Sequence, residues 1–114
     1  MSGGCRVIYS YTIQFGIRLP NGRGHYESTS DRGTISVPYR MDRSTIISYI
    51  KPTLEDKINS FYNQIKNTYE DVDSYSIVLF DQIYINNSDG CEQLVSNDEI
   101  VSYRYNVDNG GYIR

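Results

Sequence analysis

Cys5, Cys91 and the single histidine, His25, are the side chains of this chain best suited to covalent or metal chemistry. A thiol nucleophile needs a base beside it, so His25 would have to meet Cys5 or Cys91. Cys5 falls in the opening Met1-Ser2-Gly3-Gly4-Cys5, which reads as a flexible end. Cys91 follows the turn Asn87-Ser88-Asp89-Gly90, where a small residue needs no catalytic explanation. Two thiols and one imidazole do not by themselves make a zinc site. Asp89, Glu92, Asp98 and Glu99 bring carboxylates that could ligate a hard cation, but the segment from Asn86 to Gly90 does not fit an EF-hand loop. Gly22 and Gly24 open no helix, so they cradle no phosphate. No carboxylate pair at helical spacing stands with a histidine for acid–base or two-metal work. The expectation is a protein that is not an enzyme and that uses no cofactor and no metal.

Binding chemistry has more material. The chain of 114 residues carries twelve Tyr, three Phe and no Trp. Residues 1–50 hold six cations, all Arg, against three anions, a balance of +3, whereas residues 51–114 hold five cations against eleven anions, a balance of −6. Arg with Tyr can grip phosphates and stack on bases, but +3 is a shallow basic field, and the acidic half opposes it. Nucleic acid is therefore disfavoured as a partner. Tyr and Arg are also the types enriched at protein interfaces. The expected contact residues are Arg18, Arg23 and Tyr26, with Tyr84, Tyr103 and Tyr105 further along the chain, and the expected partner is a protein.

Regular elements must position these residues. From Val7 to Leu19 every odd residue is apolar or aromatic, and the even residues are polar or small apart from Ile8. A period of two means a long strand with one buried face. Pro20-Asn21-Gly22-Arg23-Gly24 is a turn, and the chain returns through His25–Thr29. Ser30-Asp31-Arg32-Gly33 reads as a bulge or irregular edge before alternation resumes at Ile35, Val37 and Tyr39. Residues 6–39 thus form one antiparallel hairpin. Asp42 or Ser44 can cap a helix beginning at Ile46 and Ile47, and Pro52 is expected to break or kink it. Thr53 and Asp56 approximate a capping box ahead of an amphipathic stripe Leu54, Ile58, Phe61, Ile65 and Tyr69. Two short strands, 76–80 and 83–86, come next around a turn at Asp81-Gln82. Residues 91–98 are ambiguous, and 99–107 is the last strand.

The expected fold class is α+β: a mostly antiparallel sheet of four or five strands packed on one main helix, in the order ββαββ. One domain spans 6–107, with flexible ends at 1–5 and 108–114. Its element order resembles the ubiquitin-like β-grasp fold, in which a long N-terminal hairpin and a final strand grip one helix. The likeness is carried by Thr34-Ile35-Ser36-Val37 leading through Asp42 into Ile46-Ile47, by Ile77-Val78-Leu79-Phe80 and Ile83-Tyr84-Ile85, and by Ile100-Val101-Ser102-Tyr103. The resemblance implies that Gly110-Gly111, just past the last strand, is a processing and conjugation end, with Gly111 exposed after trimming of Tyr112-Ile113-Arg114.

The expected function is non-catalytic protein binding, with a ubiquitin-like modifier as its concrete form. The alternative is a small phage or viral accessory protein that binds and blocks a host defence or nucleic-acid enzyme. The opening lacks a charged region followed by an apolar run, and no stretch reaches membrane-spanning length. The expected setting is the cytoplasm, or the host cytoplasm for a viral protein, with both thiols free. A second copy could pair along an uncovered edge of the hairpin.

Overall fold

The computed structural model describes residues 5–37, 42–85 and 101–113. β1 (Cys5–Arg18) and β2 (Gly24–Val37) form the expected hairpin. Its turn is closed by Leu19 N–H donating to the Arg23 carbonyl at 2.8 Å and Gly22 N–H to the Leu19 carbonyl at 2.9 Å. Gly22 sits at φ +84°, a conformation that costs glycine little.

The hairpin register runs without a shift from Cys5↔Val37 to Arg18↔Gly24, so the bulge expected at Ser30–Gly33 is absent. Gly33 has another purpose. It faces Tyr9, and a Cβ there would fall 2.5 Å from the Tyr9 Oη. The glycine clears space for a ring lying across β2.

A single helix, α1 (Arg43–Lys66), runs through Pro52. Asp42 is its N-cap, accepting from Thr45 N–H at 2.9 Å. Thr53 does not start a second helix; its hydroxyl donates back to the Ile50 carbonyl at 2.7 Å. The expected break fails because burial outweighs it. Pro inside a helix costs about 3 kcal/mol, while Ile46, Ile47, Ile50, Leu54 and Ile58 are all buried on the sheet, at about 1.5–3 kcal/mol each.

The two short strands expected after the helix are one, β3 (Asp71–Ile85). The expected turn at Asp81-Gln82 is a bulge: Ser10 pairs with Gln82 and Tyr11 with Phe80, leaving Asp81 unmatched. A second shift sets residues 73–75 against Gly16, since Phe15 pairs with Ser76 and Ile17 with Val72.

β4 (Val101–Asn106) lies within the expected 99–107, whose first two residues fall outside the described residues. The chain beyond it turns at Gly110 (φ +68°) and pairs again as β5 (Gly111–Ile113). The described part of the C-terminal segment is thus held on β4, where the sequence suggested a flexible tail.

Among the described residues the result is an α+β domain with a five-stranded antiparallel sheet in the order β2-β1-β3-β4-β5. α1 covers one face. Beneath it lie Val7, Tyr9, Tyr11, Ile13, Phe15 and Ile17 of β1, with Val78, Phe80, Tyr103 and Tyr105. Phe15 packs against Phe61 and Tyr62, with ring centroids 5.9 and 5.4 Å apart. No helix among the described residues is long and apolar enough to cross a membrane.

Candidate functional site

Alternation decides which side chains can meet a partner. Odd residues of β1 lie under α1, and even residues face away from it. The cross-strand partners of those even residues share this open face: Tyr26 beside Gly16, Ser28 beside Gln14, Ser30 beside Thr12. Thr12 and Ser30 join their hydroxyls at 2.7 Å.

At the hairpin end of this face the second β3 irregularity and three glycines shape a hollow of about 550 Å³, lined by Gly16, Ile17, Arg18, Gly22, Gly24, Asp71 and Asp73. Arg18 lies in register with Asp71. The Tyr26 ring lies along Gly16, where a Cβ would be in ordinary contact with it at 3.7 Å. Tyr26 is nonetheless 65% exposed. Arg18 and Arg23 are exposed as well. The structure therefore places three of the six expected contact residues, Arg18, Arg23 and the exposed ring of Tyr26, at one end of the open face, where Asp71 and Asp73 help to line the hollow. Such a surface can bind a polar or charged side chain and stack an apolar one.

Two of the remaining three are corrected. Tyr103 is 8% exposed and Tyr105 1%. Both face the helix. The Tyr105 hydroxyl donates to Glu55 Oε1 at 3.0 Å, and burial followed by that carboxylate pushes its pKa up. The Lys51 ammonium lies 3.7 Å from the centre of the Tyr103 ring. The side chain of Tyr84 lies outside the described residues. Parity is the physical reason for the correction: Ser102 and Arg104, not the tyrosines between them, occupy the open face of β4. Arg104 sits over the Tyr75 ring at 5.8 Å, and Ile77 and Ile113 are exposed beside it. Even numbering in 101–107 was the signal that would have found this second cluster.

Gly110 and Gly111 are held in place. Gly110 N–H donates to the Asn106 carbonyl at 2.8 Å, and Gly111 pairs with Asn106. Tyr112 anchors β5 against the helix: its hydroxyl donates to the Lys51 carbonyl at 2.9 Å, its ring meets Tyr105 at 4.8 Å, and burial pushes its pKa up.

His25 sits on the helix face, where Nε2 contacts Glu27 Oε2 and the ring meets Tyr69 at 5.5 Å. Cys91 and the carboxylates from Asp89 to Glu99 lie outside the described residues, as does the side chain of Cys5. Among the described residues, no three His, Cys, Asp or Glu side chains converge as metal ligands. No protein-family model, curated protein or solved structure matches this chain.

Proposed function

We propose that this chain is a non-catalytic protein-interaction domain whose docking surface is the hairpin end of the open sheet face. One observation carries the reading: Tyr26, 65% exposed, lies over Gly16 at the rim of the hollow that Arg18 and Asp71 line. An aromatic with two rotatable side-chain bonds, set beside Arg on a rigid hairpin, loses little entropy on binding. Cations and carboxylates balance there, which favours a protein surface of mixed charge over a polyanion.

The β-grasp-like reading draws support from the first half of the fold, where a long hairpin is followed by a helix packed across it. The modifier version asks more of the chain. Gly111 opens β5, so conjugation through it requires removal of Tyr112 and the contacts that ring makes with Lys51 and Tyr105.

Intact mass spectrometry of the native protein from its own cells, with whatever co-purifies, tests both levels. An unprocessed chain with a stoichiometric protein partner is the expected result, and that partner's identity names the process served. Loss of Tyr112-Ile113-Arg114, or an adduct through Gly111, would replace this reading with the modifier one. An unprocessed chain that brings down no partner would contradict both.

A further inference from the structure

β2 is an edge strand, and among the described residues nothing pairs with its outer side. Leu19 N–H bonds the Arg23 carbonyl, so the odd residues of β2 turn their backbone groups toward β1. The even residues, Gly24 to Ser36, turn theirs outward. Arg32 confirms this phase: its N–H is met by the side chain of Asp31, at 2.8 Å. Edges this long are normally blunted by charge, proline or a cover. Here the outward positions Tyr26, Ser28, Ser30, Thr34 and Ser36 carry no charge and Arg32 is the one cation among them, while the α1–β2 side keeps an open groove of about 360 Å³ along Thr29 and Asp31.

The strand is also self-complementary. An antiparallel two-fold pairing centred on Ser30 matches Tyr26 with Thr34, Ser28 with Arg32, Glu27 with Gly33 and Thr29 with Asp31 of the second copy. No like charges stand opposite one another. Centring on Glu27, Asp31 or Arg32 would oppose a charge to itself, and centring on Thr29 would oppose Glu27 to Asp31. Aromatic with β-branched, and Ser with Ser, are favourable cross-strand pairs.

We propose that two copies of this chain associate through β2, antiparallel and centred on Ser30, to form one continuous sheet with a helix over each half. Asp31 is the gate, since its carboxylate holds the one outward N–H, that of Arg32, which the pairing must recover. This interface adjoins the hairpin-end hollow at Tyr26, which the pairing sets opposite Thr34, but substitutions at Ser30 and Asp31 leave Arg18, Arg23 and Tyr26 themselves intact.

Sedimentation equilibrium across micromolar to millimolar protein tests it, with circular dichroism confirming the fold of each variant. Wild type is expected to reach twice the 13.2 kDa chain mass. Ser30→Lys and Ser30→Asp each set like charges opposite at the axis and should weaken the dimer at least about tenfold. Mixing the two variants should restore it. Asp31→Ala frees the Arg32 N–H and should tighten it. Wild type that stays monomeric throughout would overturn the proposal and leave the edge to an extended segment of another protein. Single Ser30 variants that dimerise as well as wild type would overturn it too.

Discussion

The two faces of the sheet use tyrosine in opposite ways. Under the helix, Tyr9 and Tyr105 bury their rings, Tyr112 half-buries its own, and the three tie their hydroxyls to α1 through Thr53, Glu55 and Lys51. On the open face, Tyr26 and Tyr75 expose theirs, beside Arg18 and Arg104. Tyr and Arg enrichment therefore does not separate surface from core in this chain. Parity along the strand does, because one residue's step exchanges a core anchor for an exposed side chain.

The contrast can be broken most severely at Phe15 and its neighbour. Phe15→Ala removes a fully buried ring and should cost about 3–5 kcal/mol, whereas Gln14→Ala, one step away on the open face, should stay within about 0.5 kcal/mol. Urea denaturation of the pair reads both; equal effects would dissolve the distinction between faces. Gly33→Ala comes next. Its Cβ would meet the Tyr9 ring, so the expected cost is about 1–3 kcal/mol. The double variant with Tyr9→Ala should be less destabilised than the sum of the two single changes, and strict additivity would show that Gly33 serves some other purpose.

Hydroxyls sharpen the comparison within the buried face. Tyr105→Phe takes the donor from Glu55 and should lose about 0.5–1.5 kcal/mol. Among the described residues the buried Tyr11 hydroxyl has no partner in hydrogen-bonding geometry, although the Lys57 ammonium, whose pKa Tyr11 raises, lies 5.8 Å from its ring centre. Tyr11→Phe should therefore be neutral or slightly stabilising, and a loss as large as that of Tyr105→Phe would reveal a contact between Tyr11 and Lys57 that matters to stability. The smallest effect concerns acid. The Arg32 N–H and then Lys57 hold the Asp31 pKa below the usual carboxylate range, and Thr45 does the same for Asp42. Both carboxylates are depressed in the folded chain, so their contribution is complete above the ordinary carboxylate pKa and fades as pH falls through the lowered values. Thermal melts at neutral pH and near pH 3 should show Asp42→Ala destabilising the former more than the latter.

Much of the fold was legible where one interaction dominates. The alternation from Val7 to Leu19 gives β1 and its buried face directly, and Leu54, Ile58 and Ile65 give the helix stripe. The reading failed where a local signal competed with tertiary burial. Pro52 argues for a break, but residues on both sides of it are buried on the same sheet. Asp81-Gln82 looks like a turn, yet a bulge absorbs Asp81 while Phe80 and Ile83 stay buried. β5 is only three residues long and owes its place to Tyr112, a packing contact no window of sequence reveals. Arg18, Arg23 and Tyr26 were named by residue type, and they are exposed because Arg18 and Tyr26 hold even strand positions and Arg23 lies in the hairpin turn. Tyr103 and Tyr105 misled because residue type was weighed above phase.

The central claim is that the exposed Tyr26–Arg18 corner, and not the buried tyrosines, recognises a partner. The most direct test is a matched co-purification from native cells with wild type, Tyr26→Ala with Arg18→Ala, and Tyr105→Phe as baits, each with its melting temperature recorded. The account predicts a stoichiometric partner on wild type and on the less stable Tyr105→Phe, lost from the corner variant although its melting temperature is unchanged. Retention of that partner by the corner variant would contradict it.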